Sequence, residues 1–156
     1  MKTLTIGGKE YVLEFSFEAA QHKECVNKIF KMISGSYLGE QGLANDPNDK
    51  TGMARALVNG TSSMFSEIPD TVITAFYAGL MENNPVLNKV EAKKLLKAYF
   101  KENPDHASFF DAYEMIRECM EEDGFFKLTG LDSVQAAMNR AEEEMQKSTS
   151  EMSENQ

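Results

Sequence analysis

The stretch LTIGGKEYVLEF, residues 4–15, predicts the secondary structure at the start of the chain. Apolar and polar residues alternate on both sides of Gly7-Gly8, and consecutive glycines tolerate the positive φ values that the tightest hairpin turns require. The pattern therefore predicts a hairpin of two strands, residues 2–6 and 9–14. Folding about this turn places one set of apolar side chains on a single face, namely Leu4, Ile6, Tyr11, Leu13 and Phe15.

An isolated two-stranded hairpin is only marginally stable in water, so this apolar face must be covered. Helical spacing of apolar residues over 16–33, after the candidate N-cap Ser16, predicts a first helix that can cover it. A second copy of the chain could cover the face instead. A hairpin also has open edges, and these can pair with strands of a second copy. The residues expected in such self-association are Leu4, Ile6, Tyr11 and Leu13.

Downstream of Glu14 the periodicity is helical, which predicts helices over 53–58, 70–82, 89–101, 105–123 and 133–147. Asp70 is a candidate N-cap, Asn88 with Glu91 resembles a capping box, and Gly124 is a candidate helix stop. The predicted fold is α+β and mostly α-helical, a short N-terminal β-hairpin followed by a compact bundle of about five to six helices.

Residues 1–147 are expected to form one domain, because 156 residues with 42% apolar content suffice for one core. Three glycines and the run NDPNDKTG predict a mobile loop over residues 34–52. The polar segment 148–156 is predicted to be a disordered acidic tail.

The charge balance restricts the class of partner. Sixteen basic and 25 acidic residues give a net charge of −9, and 14 of the acidic residues lie in residues 101–156. A chain of this charge repels nucleic-acid phosphates, so we expect no nucleic-acid partner. No apolar run has the length of a membrane span, so we also expect no membrane partner and a cytoplasmic location.

Glu18, His22 and Cys25 are the residues that most resemble a catalytic set, because spacings of four and three place them along one side of a helix. A cysteine in mid-helix lacks the donors that activate a thiol, so we favour core-edge packing and keep a small enzyme as an alternative. Two cysteines and two histidines, widely scattered apart from His22 and Cys25, do not supply the four ligands of a zinc site. We therefore expect no catalytic residue, metal or cofactor.

Ten methionines are a high count, and flexible thioethers suit surfaces that adapt to apolar partners. For any single methionine, filling a gap in the core remains the more frequent role. The residues that we predict to bind a partner lie in the last third of the chain, and they are Met115, Met120, Phe125, Phe126, Met138 and Met145.

Two stretches carry a resemblance to a known family. The opening LTIGGKEYVLEFSFEAA and the central IPDTVITAFYAGLMENNPVLNKVEAKKLLKAYF resemble the tail assembly chaperones of long-tailed phages and prophages of Gram-positive bacteria. Together they cover about half of the chain, residues 4–20 and 68–100. Neither stretch is a catalytic signature, and the resemblance assigns no individual functional residue.

The resemblance implies a protein of the bacterial host cytoplasm that binds the tape-measure protein, keeps it soluble during tail assembly and is absent from the mature virion. It also implies a longer frameshifted form that recruits the tail-tube protein, and it is compatible with a homo-oligomer. The alternative is a structural tail or head-completion subunit, which would remain in the finished particle.

Overall fold

A computed structural model describes residues 1–34 and 50–154. Side chains are described in these segments except at positions 50, 52, 53, 56, 57, 142, 145, 146 and 148–154. Most of the predicted loop 34–52 therefore lies outside the described residues. The last helix extends to Glu154. The side chains of residues 148–156 are not among those described. The disorder expected for this segment stays a prediction.

The described residues form an antiparallel hairpin followed by helices, which confirms the predicted α+β, mostly helical fold. Seven α-helices are described where about five to six were predicted. The elements in chain order are β1 (Lys2–Ile6), β2 (Lys9–Leu13), α1 (Phe17–Gln21), α2 (Lys23–Ser34), α3 (Lys50–Leu80), α4 (Lys89–Glu102), a 3-10 turn (Pro104–His106), α5 (Phe109–Glu122), α6 (Phe125–Thr129) and α7 (Leu131–Glu154).

The hairpin has the predicted turn and register. Gly7 and Gly8 have φ values of 59° and 74°, and the turn places Ile6 opposite Lys9 and Leu4 opposite Tyr11. Positive φ at both central positions is the signature of a type I′ turn, whose twist matches that of the strands it joins. The two glycines thus fix the register, and the register determines which side chains lie on the inward face of the hairpin.

The inward face of the hairpin lies in the core, which corrects the prediction that it serves self-association. Leu4, Ile6 and Leu13 are at most 4% exposed, and Tyr11 is half-buried against the same core. Helix α3 packs against β2 and helix α4 packs against β1. Because the chain's own helices cover this face, a second copy cannot reach it without partial unfolding.

The first predicted helix is divided in two at His22. This residue has an extended ψ of 91°, and its Nδ1 accepts a hydrogen bond of 3.2 Å from the backbone N–H of Cys25. The imidazole therefore satisfies a free N–H group in the first turn of α2, as an N-cap side chain does. A short helix, α1, and a longer one, α2, replace the single helix predicted over 16–33.

Helix α3 joins two segments that were predicted as separate helices and continues through Pro69. Asp70 is consequently not an N-cap. Its carboxylate instead pairs with Lys28 Nζ of α2 at 2.5 Å and with Lys89 Nζ of α4 at 3.9 Å. The hydrogen bond from Lys28 holds the pKa of Asp70 below its ordinary value. These ion pairs connect α2, α3 and α4 beside the position where proline removes a helical hydrogen bond.

The caps of α4 and α5 show how side chains set helix starts. Asn88 Oδ1 accepts from the N–H of Glu91 at 3.1 Å, which confirms the predicted cap of α4. Helix α5 starts at Phe109 rather than at residue 105, because Ser108 Oγ accepts from the N–H of Asp111 at 3.0 Å. Gly124, with φ of 73°, ends α5 as predicted.

Phe15 lies at the centre of the core, directly after β2. Its ring is fully buried, meets the ring of Phe125 edge-on at 6.0 Å and lies against the backbone of Gly79. Its backbone N–H donates to Asp123 Oδ2 at 2.8 Å. The ring and the backbone N–H of Phe15 therefore connect the hairpin with α3 and with the junction of α5 and α6.

Candidate partner-binding surface

Three of the six predicted partner-binding residues lie in the core. Met120 and Phe125 are fully buried and Met115 is 9% exposed. Helix α5 directs both methionines inward, and α6 begins with Phe125 packed on Phe15. The prediction that these three side chains bind a partner is corrected, since their apolar surface is already used in folding.

The other three predicted residues have different outcomes. Phe126 is half-buried and packs against the core, with its ring edge-on to Phe125 at 5.9 Å. Met138 of α7 is half-buried, and the side chain of Met145 lies outside the described residues. Met138 lies on a helix whose neighbouring positions, residues 132–137 and 139–141, are exposed.

Helix α7 carries an apolar stripe in an exposed setting. Leu131 is buried at its start, but residues 132–137, 139–141 and 143–144 are all exposed. Val134, Ala137, Met138 and Ala141 follow the spacing i, i+3, i+4 and i+7, so they share one side of the helix. We call these four residues the α7 face. Its members offer an apolar stripe of the width that a second helix covers.

Acidic residues dominate the remainder of α7. Residues 131–154 contain six acidic and two basic side chains, and the exposed Glu144, three residues after Ala141, borders the stripe. Carboxylates beside an apolar stripe favour a partner helix that carries lysine or arginine beside its own stripe. The helical periodicity of the sequence already runs through Val134, Ala137, Met138 and Ala141, but of this segment only Met138 and Met145 were predicted to bind a partner.

Other large apolar side chains are exposed away from α7. Val58 and Phe65 lie on the first half of α3, and Leu128 lies on α6 immediately before α7. Leu87 and Val90 flank the start of α4. Isolated exposed apolar residues are common on folded proteins, so we do not assign these to the α7 face.

The residues of the candidate catalytic set are not arranged for catalysis by a thiolate. Cys25 is fully buried, and its burial raises the pKa of the thiol to about 12. His22 is occupied as the cap of α2 and packs edge-on against the ring of Tyr77 at 5.5 Å. Glu18 is exposed on the separate helix α1. At neutral pH the sulfur of Cys25 is therefore a protonated, inaccessible thiol.

We expect both cysteines to resist alkylation in the native protein. Burial also raises the pKa of Cys119, to about 11, so both thiolates are scarce at pH 8. Iodoacetamide at pH 8, followed by mass measurement, is expected to label neither cysteine in buffer and both in denaturing urea. Fast labelling of native Cys25 would contradict the burial described here.

A cavity of about 310 Å³ opens beside α5, and its lining combines charged side chains such as Lys2, Glu114 and Glu118 with the apolar Ala112 and Met115. Its lining is thus partly charged, unlike the apolar stripe of α7. Within residues 1–34 and 50–154, no three His, Cys, Asp or Glu side chains are grouped so as to hold a metal ion. In the same residues, no helix combines the length and apolar character of a membrane span.

Comparisons of the chain with models of known protein families, with curated proteins and with solved structures found no match.

Proposed function

We propose that the protein is a phage tail assembly chaperone that binds the tape-measure protein and keeps it soluble while the tail assembles. The observation that carries the proposal is the α7 face, an apolar stripe on an exposed acidic helix. The resemblance of residues 4–20 and 68–100 to this chaperone family supplies the identity of the client. The role is one of binding, without a catalytic step.

Helix-against-helix docking is the binding mode that fits this face. Anchors at i, i+3, i+4 and i+7 match an amphipathic helix laid against them. A long, largely helical client exposes many such stripes before it is packed into a tail, and each one is liable to aggregate. Covering them with a chaperone of net charge −9 gives the loaded complex a repulsive, solvated surface.

The proposal places the protein in the cytoplasm of the bacterial host and leaves it out of the mature virion. A longer frameshifted form would add contacts with the tail-tube protein. The competing role is a structural tail or head-completion subunit, and it differs in one observable respect. Mass spectrometry of purified virions is expected to detect tube and tape-measure proteins but not this chain, whereas a structural subunit would be present.

Two alanines of α7 allow a matched test of the binding face. Ala141 belongs to the α7 face, while Ala136 is exposed on the opposite side of the same helix. We expect Ala141→Asp to weaken binding to the tape-measure protein by about tenfold or more, because a carboxylate would be desolvated in the contact. Ala136→Asp adds the same charge to α7 and should leave the affinity within about twofold, since a change of this size is a fraction of 1 kcal/mol.

Biolayer interferometry on the immobilised tape-measure protein measures both affinities. Neither alanine is buried, so both variants should retain the thermal midpoint of the wild type. Equal losses in the two variants would indicate a non-specific effect of charge. Unchanged binding in both would exclude the α7 face as the client surface.

A further inference from the structure

The two edges of the hairpin differ in how many of their backbone groups are already bonded. In a two-residue hairpin the pair that flanks the turn, here Ile6 and Lys9, exchanges both backbone hydrogen bonds, and every second pair does the same. The intervening residues direct their N–H and C=O groups away from the hairpin. These are Thr3 and Thr5 in β1 and Glu10 and Val12 in β2.

The outer edge of β2 is closed by the chain itself. The N–H of Val12 donates to Asn84 Oδ1 at 2.7 Å, and just beyond the strand the N–H of Glu14 donates to the carbonyl of Gly79 at 2.9 Å. Helix α3 packs against this strand. Glu10 is left as a single outward residue of β2, which is too short a stretch to pair with another strand.

The outer edge of β1 differs from that of β2 in its hydrogen bonds: helix α4 packs against β1, but among the described residues the outward backbone groups of this strand are not bonded. Thr3 and Thr5 are exposed, and no group within the described parts of the chain bonds to their outward N–H and C=O groups. Natural sheets usually protect such an edge with a central charge, a proline or a bulge. The charged residue of β1 is Lys2, at the end of the strand, while Thr3, Leu4 and Thr5 contain no charge, proline or bulge.

We infer that β1 pairs with β1 of a second copy of this chain, antiparallel and centred on Leu4. The segment Thr3-Leu4-Thr5 reads the same in both directions, so a two-fold axis through Leu4 places Thr3 of each copy opposite Thr5 of the other. In each Thr–Thr pair the two residues then exchange two backbone hydrogen bonds. These bonds use the outward N–H and C=O groups of both Thr3 and Thr5. Facing threonines are also a favourable cross-strand combination.

This pairing is self-limiting. A two-fold contact uses the β1 edge of both copies, so no β1 edge stays free. The β2 edge of each hairpin is closed by Asn84 and Gly79. The product is a four-stranded sheet across a dimer, and strand addition does not continue into a filament. The inference is independent of the proposed client, since it involves neither α7 nor its apolar stripe.

Sedimentation velocity tests the dimer directly, over about 1–100 µM protein, the range in which a weak specific dimer forms. The expected result is a species of twice the 17.5 kDa chain mass at the higher concentrations and nothing larger. A single-chain mass over the whole range would overturn the inference. Growth beyond two chains would overturn it as well, because it would require another contact.

A pair of variants tests the register. Thr5→Lys combined with Thr3→Lys places like charges opposite each other across the proposed axis, and Thr5→Lys combined with Thr3→Glu places opposite charges there. We expect the first variant to raise the dimer dissociation constant by tenfold or more and the second to keep it near the wild-type value. The variants differ only at position 3, which faces Val12 within the hairpin.

Both substituted side chains are exposed, so each variant should fold, and circular dichroism with a thermal melt verifies this. Equal dissociation constants for the two folded variants would overturn the proposed pairing. A wild-type dimer that both variants leave intact would assign the contact to a different surface.

Discussion

Replacing Phe125 by alanine is expected to lower the free energy of unfolding by about 3–5 kcal/mol, the cost of removing a fully buried aromatic ring. The ring has no exposed surface and contacts Phe15 and Phe126 edge-on. Removing it leaves a cavity between the hairpin and the junction of α5 with α6. Urea denaturation followed by far-UV circular dichroism measures the change as a lower midpoint.

Leu128 provides the control for this change, because it lies on the same short helix and is 47% exposed. Leu128→Ala is expected to cost less than about 1 kcal/mol, since only part of the side chain leaves an apolar environment. If Phe125→Ala were as mild as Leu128→Ala and also weakened client binding, Phe125 would be a surface residue. That result would contradict the burial of Phe125 at the start of α6.

Replacing Gly79 by alanine is expected to destabilise the protein by about 1–3 kcal/mol, the usual cost of overpacking a core. In an exposed helix the same change would stabilise by about 1 kcal/mol through helix propensity. Here an added Cβ would lie 2.7 Å from Cζ of Phe15. That ring is fully buried and packs edge-on against Phe125, so relieving the clash requires a shift within the core.

A double-mutant cycle with Phe15→Leu isolates the clash. The shorter leucine lacks the Cζ atom, so Gly79→Ala should cost less in the Phe15→Leu background than in the wild type. Chemical denaturation of the four proteins gives the coupling energy. Strictly additive effects, or a stabilising Gly79→Ala in the wild type, would contradict the close approach of α3 to Phe15.

The hairpin was predictable because its determinants are local. Alternation of apolar and polar residues fixes the inward side of each strand, and Gly7-Gly8 fixes the turn and the register. The caps at Asn88 and Gly124 were predictable for the same reason, since each acts on its own helix terminus.

The helix boundaries that were missed depend on side-chain contacts that no local rule specifies. Histidine is not a usual N-cap, yet His22 performs that role and divides the first helix. Pro69 normally indicates a helix end, but α3 continues through it. Lys28 of α2 and Lys89 of α4 converge on Asp70 beside that position, and their positions follow from tertiary packing.

The binding surface was only partly predictable, since periodicity identifies the apolar side of a helix but not what covers it. Helices α5 and α7 both have amphipathic patterns, and both carry methionine. In α5 the apolar side is consumed by the core, which removes Met115 and Met120 from the surface. In α7 the neighbours of Met138 stay exposed. That difference depends on the packing of α5 against α3 and α6, which sequence periodicity does not contain.

Co-expression with the tape-measure protein tests the proposed chaperone role most directly. The tape-measure protein is produced alone, with the wild-type chain and with the Ala141→Asp variant, and its soluble fraction is measured together with what co-purifies. We expect an insoluble client when it is produced alone, a soluble co-purifying complex with the wild type, and a clear loss of that complex with Ala141→Asp. A client whose solubility is the same with and without the wild-type chain, and which does not co-purify with it, would contradict the chaperone role.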